Sequence, residues 1–442
     1  MRFETQLLLA RSRTPADRSR IHLTVAALGL SGALLLGALR IARLGHGEVD
    51  KTVYSNYITE PSLRSGLVAI LVILATLTAG LGVQALRLGT AARERRMAAM
   101  RLAGASSRQV RRLSVTDASM AGLAGGLLAG PIYLLLSLLL GLLPRVAQIL
   151  PAAEVVDFGV WLLVIVMMTA AGALIAGVLH EDDDSLQKEV PAGKPSRGGI
   201  LAGAVLIALA LLTASLTGYV ATTVLVVGLA FVMLHLNRLW FQTAARFLHR
   251  SGDAVNLLTG ARLIADARSS SRLSTLLGCC GFLVGLLLHG LLTIKRDPDF
   301  ADQAVFFATG YAMAIAGLVL VMGVAMGALI VGVADQLVDQ RRQLASLTAL
   351  GVDARFLGRM ITRQITTVGA PALAAGAAAG MLLGLDRVVG TSHGPFQTVT
   401  LLGTVGVIAG GCLFALGGGV LAGFLLRNQL HDALDPENLR AA

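Results

Sequence analysis

Seven arginines and one glutamate lie within residues 93–112, which read RERRMAAMRLAGASSRQVRR. Charged residues make up only 14% of the whole chain, and its mean hydropathy is +0.74. Clustered arginines can pair with acidic residues on the surface of a partner protein. Because Met97, Met100 and Leu102 add adaptable apolar side chains, we expect this segment to form a packed contact as well as a charged one.

A second copy of the pattern lies at residues 340–359, which read QRRQLASLTALGVDARFLGR. In the alignment of the two copies, Gly104 meets Gly351 and Arg108 meets Arg355. Self-similarity at a fixed offset indicates an internal duplication. The two copies are called the first elbow (93–112) and the second elbow (340–359).

Local signals predict that each elbow ends one helix and begins another. Gly104 and Gly351 can adopt the left-handed conformation that terminates a helix. Two positions later, Ser106 and Asp353 can accept hydrogen bonds from the first free N–H groups of the next helix. Ser106 also has capping-box spacing to Gln109. The alternative is a basic loop that is retained inside the cell by the insertion rules alone.

The other reactive residue types form no catalytic or metal-binding motif. None of the four lysines lies in a G-x-x-x-x-G-K-[ST] motif, so the chain lacks a Walker loop for ATP. His180 and Glu181 precede three aspartates without the spacing of a zinc site. Cys279, Cys280 and Cys412 lie in apolar segments, where we expect them to act as small core residues. We therefore predict no catalytic, cofactor or metal site in this chain.

Long apolar segments must position the elbows. The chain has 442 residues, 55% of them hydrophobic, and its apolar runs repeatedly reach the roughly 20 residues that a helix needs to cross a bilayer. This pattern predicts an all-α integral membrane protein with about ten transmembrane helices. The expected spans are 21–43, 65–87, 118–143, 158–179, 198–216, 218–236, 273–294, 304–333, 366–386 and 397–426.

The distribution of lysine and arginine predicts the orientation, because positive charge is retained on the cytoplasmic side. With ten spans and the N-terminus inside, 29 of the 37 lysines and arginines lie in inner segments. No cleavage pattern follows the first span, so we expect a retained helix rather than a signal peptide. The same bias explains the net charge of +11 without a nucleic-acid partner. We predict a multi-pass protein of the plasma membrane with both termini in the cytoplasm.

These features resemble those of the FtsX-like permease family, the membrane subunits of MacB-type ATP-binding-cassette systems. The first elbow carries the similarity as R-E-x-R-x-x-x-x-R-L-x-G-A-S-x-R-Q-V-R-R, and the second elbow departs from it at Arg341, Val352 and Phe356. The ten-helix layout is similar to that of bacitracin-type exporter permeases. Those permeases carry a large extracellular domain between helices seven and eight, where this chain has only residues 295–303.

The resemblance implies two four-helix repeats of parallel topology on either side of a central helix pair, with both elbows on the same face of the membrane. The expected parts, in order, are a cytoplasmic amphipathic segment (1–20), the first repeat (21–179), a cytoplasmic linker (180–197), the central pair (198–236), a cytoplasmic amphipathic elbow segment (237–272), the second repeat (273–426) and a cytoplasmic tail (427–442).

In this family the loop between the second and third helices of a repeat docks on a separate cytosolic ATPase. The resemblance therefore implies that this chain is not itself an enzyme and that a partner ATPase, expected as a homodimer, binds ATP and Mg. The residues assigned to this coupling contact are Arg95, Met97, Leu102, Gly104, Ala105, Ser106 and Arg108 in the first elbow, and Arg342, Leu344, Leu350, Gly351, Val352, Asp353 and Arg355 in the second.

A further amphipathic segment, AVNLLTGARLIADARSS, precedes the seventh span at residues 254–270. Its apolar side chains share one helical stripe, which is typical of a helix lying at the membrane surface. The stripe consists of Leu257, Leu258, Ala261, Ile264 and Ala265.

The expected function is that of a permease subunit, which couples ATP hydrolysis by its partner to the export or extraction of an amphipathic drug, peptide or lipid. One alternative is a mechanotransmission subunit of the same kind of complex without transported cargo. The other is a secondary transporter, which the scarcity of ionisable residues near the centres of the spans disfavours. A neighbouring ATPase gene would distinguish the first two from the third.

Overall fold

A computed structural model of the protein describes residues 15–44, 55–87, 106–144, 148–186, 197–217, 219–294, 304–339, 344, 353–385 and 396–427. These residues are helical apart from short turns, and no strand occurs among them. The helices are α1 (Pro15–Arg43), α2 (Asn56–Thr59), α3 (Pro61–Arg87), α4 (Ser107–Gly141), α5 (Asp157–Leu186), α6 (Arg197–Thr217), α7 (Tyr219–Arg250), α8 (Ala254–Ala265), α9 (Ala267–Ile294), α10 (Ala304–Asp339), α11 (Ala354–Leu385) and α12 (Phe396–Leu425).

Within the described ranges, nine helices are long and apolar enough to cross a membrane. This confirms the predicted all-α membrane protein of about ten helices. The fifth expected span lies in α6, whose apolar stretch Gly198–Thr213 is shorter than the others. At 1.5 Å per residue this stretch is about 24 Å long, slightly less than the roughly 30 Å hydrocarbon core.

Two helices extend further than hydropathy indicated. Helix α5 continues to Leu186, so residues 180–186 of the expected linker are helical. Helix α7 continues to Arg250, through a segment that was expected to lie outside the central pair. Phe241 and Ala245, four residues apart on one helical face, are fully buried, so an apolar face persists beyond residue 236, where the sixth expected span ends.

The chain divides into two compact units, residues 1–193 and 194–442. In unit 1, α1 packs against α3, α4 and α5, and α4 packs against α5. The core is apolar and includes the fully buried Leu28, Leu36 and Ile41 of α1. The Ser31 hydroxyl donates a hydrogen bond of 2.8 Å to the Ala75 carbonyl and joins α1 to α3.

In unit 2, α9 packs against α11, α10 and α7, α11 packs against α12, and α6 packs against α7. If α1, α3, α4 and α5 are matched in order with α9, α10, α11 and α12, the two units share three pairings: first helix with second, first with third, and third with fourth. Close backbone approach explains the glycines in these pairings, because at Gly281 a Cβ atom would lie 2.7 Å from the Leu373 carbonyl oxygen.

Candidate functional site

The first elbow leads into a capped helix, as predicted. Ser106 has extended backbone angles, and its hydroxyl accepts a hydrogen bond of 3.4 Å from the Gln109 N–H. In return, the Ser106 N–H donates to the Gln109 Oε1 atom at 3.0 Å. This reciprocal pair is a capping box, and it satisfies backbone donors that the first turn of the helix cannot satisfy itself.

Helix α4 has no break between this cap and its membrane-spanning part. Its 35 residues give a length of about 52 Å, which exceeds the roughly 30 Å hydrocarbon core. Arg108 lies in the first turn, and Arg112 one turn later is exposed. A force applied at the capped end would thus reach the membrane through one continuous helix. Five coupling residues of the first elbow lie outside the described residues: Arg95, Met97, Leu102, Gly104 and Ala105.

The second elbow also leads into a helix, α11, but the bonds that Asp353 forms within the described residues are backbone bonds and not the predicted side-chain cap. Asp353 directly precedes the helix, and its carbonyl oxygen accepts hydrogen bonds from Phe356 and Leu357 at 3.0 and 3.3 Å. Arg355 is exposed in the first turn, whereas Leu344 is 3% exposed and therefore belongs to the core. The remaining coupling residues of this elbow lie outside the described part of the chain: Arg342, Leu350, Gly351 and Val352.

Polar contacts join both ends of α8 to the N-terminal part of α11. The Arg363 Nη1 atom lies 3.0 Å from the Asp253 carboxylate and also donates to the Asn256 side chain. At the other end, the Gln364 amide donates to the Asp266 carboxylate at 3.4 Å. The helix that follows the second elbow therefore has a second anchor, which sequence reasoning did not identify.

The two faces of α8 have different surroundings. Val255, Thr259 and Leu263 are buried, because α8 packs against α7 and α11 on that side. The apolar stripe predicted from the sequence lies on the opposite side, where Leu257 is 40% and Ile264 is 47% exposed. This second apolar face agrees with the predicted position at a membrane surface.

One basic side chain of α8 is largely desolvated. Burial lowers the pKa of Arg262, and the nearby Asp266 carboxylate opposes that shift. Arginine nevertheless remains protonated in proteins, so Arg262 adds positive charge to this end of the unit.

The junction between α7 and α8 contains a left-handed glycine followed by a capping residue. Gly252 has a φ angle of 68°, and the Asp253 carboxylate accepts a hydrogen bond from Val255 at 3.3 Å. This is the device that the sequence predicts at each elbow, with the cap one position closer to the glycine. Its conformation at Gly104 and Gly351 stays a prediction.

In unit 1, an ionic cluster lies at the end away from the capped start of α4. The sequence did not reveal it. Arg40 and Asp157, each 5% exposed, form an ion pair that Arg43 and Glu154 extend. Hydropathy had assigned these residues to span ends, where charged groups usually meet water. Burial of this kind depends on which helices pack together.

A buried arginine close to the same helix ends binds the backbone. The Arg64 guanidinium donates hydrogen bonds to the carbonyl oxygens of Ile58 at 2.7 Å, Leu44 at 3.2 Å and Thr59 at 3.3 Å. Leu44 directly follows α1, and Ile58 and Thr59 are the last two residues of α2, so these carbonyls lie at helix ends, where acceptors are left unsatisfied. Arg64 therefore fixes the connection between α1 and α3.

Replacing Ser106 by alanine is expected to cost about 1 kcal/mol in the first turn of α4, because the cap is lost. Hydrogen exchange of the amides at residues 107–112 should become about fivefold faster. The matched control is Ser137→Ala, because among the described residues Ser137 bonds only to the Leu134 carbonyl within α4 and caps no helix. Equal exchange in both variants would contradict a stabilising role for the capping box.

No group of three or more His, Cys, Asp or Glu side chains in the described ranges is arranged to hold a metal ion. Comparison of the chain with protein-family models, with curated proteins and with solved structures gives no match. The likeness to FtsX-like permeases therefore depends on the residues of the two elbows and on the helix layout read from the sequence.

Proposed function

We propose that this chain is the permease subunit of an ATP-binding-cassette system and that it resembles the FtsX-like permeases in function. A separate cytosolic ATPase, a homodimer that binds ATP and Mg, docks on the two elbows. ATP hydrolysis then drives the export or extraction of an amphipathic drug, peptide or lipid. The chain lies in the plasma membrane, with its termini and elbows on the cytoplasmic side, as the charge bias favours.

The main support is that each elbow leads directly into a long, continuous membrane helix. The capping box at Ser106 begins α4, and Asp353 begins α11. An ATPase can do work on membrane helices only through a stiff contact, and a continuous helix is stiffer than a loop. The basic residue beside the first of these starts, Arg112, is exposed and could meet an acidic rim.

The helix pairings give a second argument. Units 1 and 2 share the pairings of first helix with second, first with third, and third with fourth. A chain with two equivalent four-helix sets offers two equivalent contacts. This supports an ATPase homodimer with one permease chain, in which each ATPase subunit meets one elbow.

The ionisable groups of unit 1 favour an ATP-driven system over a secondary transporter. Proton and ion pathways use charged groups near the bilayer centre. Arg40, Arg64 and Asp157 lie at helix ends instead, and their charges are engaged with one another or with backbone carbonyls.

The test is reconstitution of the tagged full-length chain with its co-purifying ATPase, identified by mass spectrometry as an ATP-binding-cassette protein. Gly104→Val and Gly351→Val each place a β-branched residue where a left-handed stop is expected. Each should weaken ATPase binding about tenfold and reduce the stimulation of hydrolysis, with the first elbow more sensitive.

The control is Gly141→Val at the other end of α4, where an added Cβ would meet nothing within 4 Å. Unchanged ATPase binding in both elbow variants would refute the proposed contact, as would ATP hydrolysis by the repurified chain alone. Compounds that stimulate hydrolysis and are moved across vesicles would separate transport from mechanotransmission without cargo.

A further inference from the structure

A basic pocket opens between α11 and α12 in unit 2. It is a shallow pocket, open to the surroundings, with a volume of about 380 Å³. Three of its six lining residues are arginines spaced one helical turn apart. The lining consists of Arg355, Gly358, Arg359, Thr362, Arg363 and Gly423.

Two of these arginines have positive charges with no counter-charge in the described part of the chain. Arg355 and Arg359 are exposed and form no ion pair or hydrogen bond among the described residues. Arg363 is paired with Asp253, but both side chains are about half exposed, so this surface pair is weak. The six described lining residues therefore carry a net positive charge that suits an anion.

Glycines give the pocket its shape. Gly423 of α12 lies so close to α11 that an added Cβ would be 3.2 Å from the Thr362 hydroxyl oxygen. At Gly358 an added Cβ would meet nothing within 4 Å, so the space above this residue is open. Because glycine has no side chain, these two positions leave room for a ligand between the two helices.

The depth of the pocket along α11 indicates what kind of anion reaches it. No charged residue follows Arg363 within α11, and residues 364–385 form about 33 Å of uncharged helix, close to the thickness of the hydrocarbon core. A helix of this length can cross the hydrocarbon core by itself, which would leave Arg355, Arg359 and Arg363 on the headgroup side.

Apolar side chains that suit acyl chains flank the pocket. Val420 is 63% and Phe424 is 72% exposed, and each follows a glycine of α12 that packs against α11. An ATPase rim would account for the arginines alone. The combination of a basic pocket, its depth and an exposed apolar flank favours a molecule with a charged head and apolar tails.

We propose that this pocket binds the phosphate headgroup of an anionic phospholipid, with Arg355 and Arg359 as its main ligands and Arg363 as a third cation. The lipid acyl chains lie along the exposed face of α12. This site goes beyond the proposed permease function and requires no ATPase. Occupancy would place a structural lipid at the start of the helix that leaves the second elbow.

The experiment is native mass spectrometry of the purified full-length chain with added phosphatidylglycerol or phosphatidylcholine. We expect retention of phosphatidylglycerol over phosphatidylcholine, because only the former has a net negative charge. Arg355→Gln and Arg359→Gln should each weaken this binding about fivefold. The matched control is Arg246→Gln, because Arg246 is an exposed arginine of α7 outside the pocket.

A second variant separates filling of the pocket from loss of charge. Gly358→Leu keeps every arginine and places a side chain in the open space of the pocket, so it should also reduce phosphatidylglycerol binding. Thermal unfolding of this variant checks that it remains folded, since the Cβ position itself meets no neighbour and leucine favours helix more than glycine does. Wild-type lipid retention by this variant would overturn the proposed site.

Two other results would assign the pocket differently. If inorganic phosphate alone binds as tightly and displaces the lipid, the site is one for free phosphate, and the lipid assignment is wrong. If the arginine variants retain phosphatidylglycerol and lose only ATPase binding, the pocket belongs to the coupling contact. Each result overturns the lipid proposal; the first is independent of the permease proposal, whereas the second can be observed only if the proposed ATPase binds.

Discussion

Replacing Asp157 by alanine is expected to reduce the free energy of unfolding of unit 1 by about 3–5 kcal/mol. Asp157 is 5% exposed and forms an ion pair with the equally buried Arg40. It also accepts a hydrogen bond of 2.8 Å from the Glu154 N–H and lies 3.4 Å from Arg43. Removing the carboxylate leaves the buried Arg40 guanidinium without its main counter-charge, and that state is costly.

Denaturant titration of the purified chain in detergent measures this effect. The control is Glu154→Ala, because Glu154 also pairs with Arg40, at 2.9 Å, but is 57% exposed. Its loss should cost about 0–1 kcal/mol. The double replacement of Arg40 by methionine and Asp157 by leucine should be less damaging than Asp157→Ala alone, because no buried charge remains. Equal costs for Asp157→Ala and Glu154→Ala would show that burial does not determine the strength of this cluster.

Replacing Gly376 by alanine is expected to destabilise unit 2 by about 3 kcal/mol, at the upper end of the range for overpacking. A Cβ atom at this position would overlap the carbonyl oxygen of Gly278 on α9. Because that neighbour is backbone rather than a flexible side chain, α9 and α11 would have to move apart. Gly380, one turn further along α11, meets the Phe282 carbonyl in the same way, so the displacement could not be relieved locally.

The matched control for this second prediction is Gly327→Ala in α10, where an added Cβ meets nothing within 4 Å. This change should be neutral or should stabilise the chain by up to about 1 kcal/mol, because alanine favours helix more than glycine does. Thermal unfolding of both variants in detergent makes the comparison. A Gly376→Ala variant as stable as Gly327→Ala would mean that the close approach of α9 and α11 is not required.

The caps could be predicted because they depend on neighbours in sequence. Ser106 and Gln109 are three residues apart, and one turn of helix brings their side chains to each other's backbone. Glycines in membrane helices generally permit close approach of neighbouring helices. Which backbone each glycine meets, as Gly376 meets Gly278, required the packed helices.

The faces of α8 show the limit of periodicity. The sequence identified one apolar stripe, which includes Leu257 and Ile264, but the side that packs against α7 and α11 contains Val255 and Leu263. A short helix with two apolar faces has no local feature that says which face meets protein. The decision depends on the position of the neighbouring helices.

The sequence by itself determined the helices, their membrane character and the starts of α4 and α11, because hydropathy, periodicity and capping act over a few residues. Only the tertiary structure decided that Arg40 meets Asp157, which is 117 residues away, and that Gly423 joins Arg359 in one pocket. Such contacts depend on which helices pack together and on how the helices are shifted along one another. Charges separated in sequence acquire partners, or remain available for a ligand, only when that packing is complete.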